Sequence, residues 1–279
     1  MQFGIFLPPF HEFSDPREVA RLATSAEQAG WDGLFLWDHM LSEPGFAVAD
    51  TWITMAAIAS VTERLRIGAM VTPLARRRPW VLARQIATLD HLSSGRLVVG
   101  VGLGDDGWHE FSAFGESVDP RRRAAQLDEA LALLELFASG EPVDFVGNEY
   151  QVHAPPLLPR PVQRPVPIWV AGRWPNQRPL SRAKHHEGFF PIFAGTETEP
   201  PTIPTQSDLV AITRQLPQRT STYDLVIRYA MSLAHDPVQD AALLAEVGVT
   251  WILESFGALG PEPEVIRAIV AAGPAGKEG

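Results

Sequence analysis

Gly95-Arg-Leu-Val-Val-Gly-Val-Gly-Leu-Gly104 decides the fold: an apolar run of strand length ends on glycines at alternate positions 100, 102 and 104. Glycine at alternate positions of a strand predicts that something bulky lies against its backbone. Leu89-Asp-His-Leu-Ser-Ser94 before it reads as a helix end, so a helix feeds the strand and the strand feeds a glycine loop. In α/β proteins such a loop, at a strand's carboxyl end, is where ligands sit.

Outward from this stretch the same alternation recurs. Toward the N-terminus, β-rich apolar runs fall at Gln2–Leu7, Gly33–Trp37 and Leu65–Val71. The segments between them are amphipathic: Asp15 as cap and Pro16 at the first turn open a helix to Ala29, closed by Gly30, with Val19, Leu22, Ala23 and Ala26 on one face. Pro79–Leu92 reads alike, and Thr51–Ser60 is an apolar helix. Toward the C-terminus, a helix over Pro120–Ala138 precedes a Pro-rich excursion near residues 140–167, in which Val143–Val152 reads as a small hairpin. Strands resume at Ile168–Ala171, Gly188–Ile192, Leu225–Tyr229 and Val249–Leu253, with helices near 178–186, 208–215, 237–246 and 265–272. Eight βα units match a (β/α)8 TIM barrel, one domain over residues 1–279 with a small insertion, better than an open doubly wound sheet.

Composition bounds the function. The chain has 279 residues, 46% hydrophobic and 20% charged, with no segment near the roughly 18 uninterrupted apolar residues of a membrane span. A strand opens directly after Met1 without a basic region or cleavage site, so a cytoplasmic location is expected. The absence of cysteine excludes disulfides, thiolate metal sites and cysteine nucleophiles. A net charge of -10 speaks against a nucleic-acid surface while permitting a local anion site. His185-His186-Glu187 and His109-Glu110 lack the spacing of metal ligands, and no hydrolase or nucleotide-phosphate motif is present. Gly102-Leu-Gly-Asp-Asp-Gly107 satisfies G-x-G-x-x-G, yet it does not open a helix at once as a dinucleotide fingerprint must.

In a barrel the carboxyl ends of the strands carry function. They read Pro8-Pro-Phe10, Trp37-Asp-His39, Val71-Thr-Pro73 with Arg76-Arg-Arg78, the glycine triplet with Asp105, and Ala171-Gly-Arg-Trp174. Aromatics and glycines suggest a flat, mostly apolar ligand, and the arginines an anionic tail.

Here the chain resembles the luciferase-like monooxygenase family. The resemblance is carried by Ala26-Glu-Gln-Ala-Gly-Trp-Asp-Gly33, Asp38-His39, Val71-Thr-Pro73 with Arg78-Pro79, Leu89 through Gly104, and Pro167-Ile-Trp-Val-Ala-Gly172. It implies a (β/α)8 barrel that binds reduced FMN or the deazaflavin coenzyme F-420. It places the ring over Ala69, Met70, Val71 and Thr72, with Gly102 and Gly104 at its rim, and a non-proline cis bond at Ala69-Met70. It places the phosphate at the amides of Ala171, Gly172 and Arg173. Where the family commonly has Asp-Gly, this chain has His185-His-Glu-Gly188, which bears on the second half of that phosphate site.

His39 is the first candidate for proton transfer, with Asp38 to orient or charge it, against the plainer reading of a hydrogen-bonded structural histidine. Asp105 is either a cofactor ligand or a loop cap. Trp37, Trp52, Trp108 and Trp174 are candidates for a pocket wall, though most tryptophans are core. Arg76–Arg78 bind a phosphate or a polyanionic coenzyme tail, or form a solvated patch. With FMN and a partner flavin reductase the expected chemistry is oxygenation of a small organic substrate; with the deazaflavin it is hydride transfer. A barrel that binds cofactor without turnover, or a structural subunit, is the alternative, kept open by Lys184–Glu187. The resemblance implies a homodimer, to which the helix at 51–60 can contribute. Substrate choice is assigned to the loops 40–49, 108–119 and 194–204, which carry no motif.

Overall fold

The computed structural model describes residues 1–42, 45–193, 204–217, 223–257 and 260–277. Strands run β1 (Gln2–Leu7), β2 (Gly33–Leu36), β3 (Arg66–Pro73), β4 (Leu97–Gly102), β5 (Val143–Val146), β6 (Gln151–Ala154), β7 (Ile168–Arg173), β8 (Gly188–Ile192), β9 (Asp224–Tyr229) and β10 (Trp251–Ser255). The helices are α1 (Pro16–Gln28), α2 (Thr51–Val61), α3 (Pro79–Leu92), α4 (Pro120–Ser139), α5 (Gln177–Ala183), α6 (Gln206–Thr213), α7 (Pro237–Glu246) and α8 (Pro263–Ala272). Parallel pairing in the order β1-β10-β9-β8-β7-β4-β3-β2 closes a barrel, and β5-β6 form the separate hairpin expected in the insertion. The (β/α)8 reading is correct.

Period-two alternation sorts each strand into an interior and a helix-facing set. At the amino-terminal end the interior is filled by Phe35, Trp169 and Trp251, whose ring centroids lie 5.2–5.5 Å apart. So much ring volume needs strands without side chains beside it: a Cβ on Gly33 would stand 2.7 Å from Phe35, and one on Gly188 2.3 Å from Trp169. Above this layer Phe6, Met70, Ala171 and Phe190 continue the packed interior, with partly exposed Trp37, Val71 and Ile192 at the carboxyl-terminal mouth. The helix-facing set, Ile5, Leu7, Leu34, Leu36, Ile67, Val99 and Val101 among it, packs with the inner faces of α1 to α4.

The bulk against the glycine triplet proves to be the chain itself. β3 shifts register against β4 between Ala69 and Thr72. A Cβ on Gly100 would lie 2.2 Å from the Ala69 carbonyl and 2.4 Å from the Met70 sulfur; one on Gly102 would lie 2.7 Å from Val71. Gly104, at φ +73°, abuts Pro73 and Phe111. These glycines let the bulge of β3 settle onto β4. The non-proline cis bond is at Met70-Val71, one residue beyond the expected Ala69-Met70.

Candidate active site

The site grows from the end of β2. Trp37 still takes a ladder hydrogen bond, its amide donating to the Leu7 carbonyl at 3.1 Å, so side chains continue to alternate. Trp37 turns to the barrel interior, Asp38 away from it, and His39 back toward the mouth. This corrects the expected pairing of Asp38 with His39: neighbours on extended chain face opposite sides. The Asp38 carboxylate, buried, accepts from Arg77 Nη2 at 2.8 and 2.9 Å, and Arg76 Nη2 donates to its carbonyl at 2.5 Å.

Glu110 orients His39 instead. His39 Nδ1 lies 2.8 Å from Glu110 Oε2. Glu110 Oε1 accepts from Arg76 Nη1 at 2.6 Å and from the amides of Met40 at 2.5 Å and Leu41 at 3.2 Å. Burial, the largest single influence, pushes the Glu110 carboxyl up; the hydrogen bond and charge of His39, the Arg76 guanidinium and the Met40 amide together outweigh it and hold the group below its usual range. A fixed anion on Nδ1 leaves Nε2 to face chemistry, and among the described residues Nε2 has no hydrogen-bond partner.

Glu110 sits on the loop after β4, and that loop is pinned by Phe111. Arg123 of α4 stacks over the Phe111 ring at 4.6 Å and donates to the Gly104 carbonyl at 3.3 Å, while Arg76 lies over the same ring at 5.9 Å. Asp106 accepts from the Phe111 and Ser112 amides. The loop thereby also places Trp108, whose ring centroid is 4.7 Å from His39 and 5.9 Å from Phe10. Trp37 lies 5.7 Å from His39 and 5.4 Å from Phe6. An imidazole walled by Trp37, Trp108 and Phe10 and tied to a buried carboxylate is the centre of the mouth.

The other expected site residues divide by the face they take. Met70 and Val71 join the interior cluster, Val71 partly exposed, with Ala171 packed near Gly102. Ala69 faces the helices, and Thr72 Oγ1 accepts from Trp52 Nε1 at 3.3 Å within the core between β3 and α2. Gly102 and Gly104 border the mouth only through the residues that occupy their missing side-chain space. Asp105 is exposed and caps its own loop, accepting from the Gly107 amide at 3.0 Å. Gly172 faces α5, where a Cβ would meet Pro179 at 2.0 Å, and Arg173 is exposed. β7 pairs with β4 only as far as Val170 but with β8 through Arg173, so residues 171–173 project beyond β4.

Three further expectations change. Of the tryptophans, Trp37 and Trp108 line the mouth; Trp52 is core, and Trp174 donates to Asp208 at 2.9 Å away from His39. Arg76 and Arg77 are not an outward anion site, because both are nearly buried and spent on Asp38 and Glu110; Arg78 lies over Trp80 at 5.9 Å. Lys184–Glu187 precedes β8, at the end of the barrel opposite the mouth, where Glu187 accepts from the Ile168 amide and His186 is buried. It is therefore not the second half of a phosphate site. The loop assigned at 194–204 lies outside the described residues but for Pro204, and 43–44 of the loop at 40–49 likewise. Among the described residues no helix is long and apolar enough to cross a membrane, and no group of three or more His, Asp or Glu stands together as for a metal.

Sequence reasoning passed over Glu110. It is separated from His39 by 71 residues, and the only local signal was an acid on the loop after the glycine strand.

A closed eight-stranded α/β barrel with an aromatic mouth, a His39–Glu110 dyad there and a bulged third strand defines a TIM barrel with a candidate active site at the carboxyl-terminal end of its strands. The luciferase-like monooxygenase profile matches residues 1–201, and the chain belongs to that family. It is 32% identical over 238 residues to the F420-dependent glucose-6-phosphate dehydrogenase of Beutenbergia cavernae, covering 82% of this chain and 68% of that protein. To the enzyme of the same name from Amycolatopsis mediterranei it is 36% identical over 166 residues, 57% of this chain and 49% of that protein, so the chain matches only about half the length of that relative. Among solved structures, an F420-dependent secondary alcohol dehydrogenase in complex with an F420-acetone adduct superposes with TM-score 0.76 at 18% identity, covering 99% of each chain. An FMN complex of the oxygenating constituent of 3,6-diketocamphane monooxygenase from Pseudomonas putida superposes with TM-score 0.63 at 17% identity, covering 82% and 66%. FMN or coenzyme F-420 therefore fits the family.

Proposed function

We propose that this protein is a deazaflavin-dependent dehydrogenase or reductase that interconverts a hydroxyl-bearing carbon and a carbonyl in a small organic molecule. The observation that carries the reading is the dyad: His39 held through Nδ1 by Glu110, with its free Nε2 inside an aromatic wall. Such a group suits taking a proton from, or returning it to, a substrate oxygen while the bound coenzyme accepts or donates the hydride.

The mouth fits a flat heteroaromatic ring. Trp37 Nε1 and Ser255 Oγ are buried there without hydrogen-bond partners among the described residues, and both flank Phe6, Trp37 by ring contact and Ser255 by strand register. Orphaned polar atoms beside apolar rings suit a ligand that carries both kinds of surface. Val71 and Met70 would support the ring, Ala171 would border it, and the amides of residues 172–173 that project beyond β4 would meet the phosphate. His39 would hold the exchanged proton at Nε2; Trp37, Trp108 and Phe10 would exclude water from it. Asp38 is a positioning residue: its carbonyl anchors Arg76, the guanidinium that holds Glu110, and its carboxylate anchors the neighbouring Arg77.

The names of the relatives support a hydroxyl-bearing substrate, and they favour the deazaflavin over FMN. In this reading no partner flavin reductase is required; the chain acts as one domain over 1–279, as a cytoplasmic homodimer. The test is a fluorescence-quenching titration with FMN, reduced FMN and coenzyme F-420 in parallel, the eight tryptophans reporting. Selective binding of the deazaflavin is expected. Selective binding of reduced FMN makes the protein an oxygenating enzyme, and binding of none makes it a non-catalytic barrel.

A further inference from the structure

Arg76 and Arg77 are spent inside the protein, so the anionic end of a cofactor must find its cations elsewhere. Outside the barrel, beside the end of β7, α4 and α5 leave an open groove of about 430 Å³ between them. Each contributes residues at i, i+3, i+4 and i+7, one face of a helix: 121, 124, 125 and 128 from α4, and 178, 181, 182 and 185 from α5 and its last turn. The floor is alanine and serine, and the rims are Arg121, Arg178, Arg182 and His185, with Asp128 the sole acid. Arg182 is committed to Asp128, its Nη2 at 3.0 Å from Oδ2. Arg121 and Arg178 are exposed, and neither has an ion-pair partner among the described residues.

A cationic groove is out of keeping with a chain of net charge -10 unless it has an anion to meet. Its position names the anion. Pro179 of α5 packs on Gly172, so Arg178 stands directly outside the strand end whose amides are assigned to the phosphate. A chain leaving a phosphate held there would meet Arg178 of α5 and, across the groove, Arg121 of α4. We propose that this groove docks the polyanionic tail of the deazaflavin coenzyme, an inference that rests on the deazaflavin reading above. FMN ends at its phosphate and has nothing to place there. The groove thus adds to the preference for the tailed coenzyme over FMN.

The test compares coenzyme F-420 carrying its full tail with the same coenzyme trimmed back to its phosphate, by tryptophan quenching at low salt and at about 1 M salt. Wild-type protein is expected to bind the tailed form about three- to tenfold more tightly, as two exposed charge contacts allow, with the advantage lost at high salt. The double variant Arg121→Gln/Arg178→Gln is expected to bind both forms as wild type binds the trimmed one. Equal binding of the two forms by wild type, or a variant that keeps the tail's advantage, overturns the groove while leaving the cofactor assignment standing. Binding of neither form by wild type removes the deazaflavin assignment and the groove with it.

Discussion

Replacing Glu110 by Gln keeps the shape of the dyad and removes its charge. Gln retains one oxygen for the Met40 and Leu41 amides and Arg76, but it presents an NH2 group to His39, which can only donate. At a pH where the ring is neutral, Nδ1 must then become the acceptor and the proton moves to Nε2, so the nitrogen facing substrate can no longer take one. Loss of a positioned base lowers turnover by about 10²- to 10⁴-fold, with little change in KM because the wall is untouched. Breaking a buried pair outright costs about 3–5 kcal/mol; with most neutral hydrogen bonds kept, about 2–3 kcal/mol is expected, a fall in Tm of about 5–10 °C for a chain of this size. The Glu110 carboxyl is held below its ordinary 4.5 in the folded protein, so its stabilisation is present above that value and is lost as pH falls through the folded one. The Tm gap between wild type and variant should be full at pH 7 and close in acid. Steady-state hydride transfer to the coenzyme, heteronuclear NMR of the His39 tautomer and melting curves against pH read the three effects. An unchanged tautomer, or turnover within twofold of wild type in a folded variant, refutes the dyad.

His39→Ala should leave coenzyme affinity nearly intact and lower turnover by about 100-fold or more, read by quenching titration and initial rates. Glu254, on the helix-facing side of β10, is pushed up to about 7 by burial, against the opposing hydrogen bonds of Ser232 and Met231. The fold holds its proton where the unfolded chain has released it, so stability declines between about pH 4.5 and 7, by roughly 3 kcal/mol in all. Glu254→Gln should flatten that decline and raise Tm at pH 8, with the gain absent below pH 5; a parallel pH profile counts against it. Gly172→Val should drive α5 off β7 and lower Tm, since Pro179 already stands 2.0 Å from the added Cβ; overpacking of this kind costs about 1–3 kcal/mol. Arg77→Ala leaves Asp38 buried beside Arg76 alone and should destabilise by about 3–5 kcal/mol, read by denaturant titration.

Strand and helix positions were legible because burial imposes a period on neighbours in sequence: the runs at 2–7, 33–37, 96–101 and 168–171 return as barrel strands, and Asp15-Pro16 caps α1 as read. Asp38-His39 and the glycine triplet also lie at the carboxyl-terminal mouth of the barrel as read from sequence alone, since strand ends and missing side chains are local properties. What the triplet accommodates was not local. Whether Gly102 meets a ligand or Val71 depends on the register of β3, and that register shifts at a bulge no residue pattern announces.

The site itself was decided in three dimensions. Alternation along extended chain sends Asp38 away from His39, and the partner it yields to lies 71 residues on, brought in by a loop that Arg123 and Arg76 clamp around Phe111. Arg76-Arg77 read as an anion site or a solvated patch because sequence carries charge but not the buried carboxylates that consume it. By itself the sequence determined the barrel, its carboxyl-terminal mouth and the presence of a histidine there, because hydrophobic period and chain connectivity are written residue by residue. Tertiary structure alone decided which carboxylate meets that histidine and which cations remain free for an anion, because ion pairing is settled by distance across the closed barrel rather than by order along the chain.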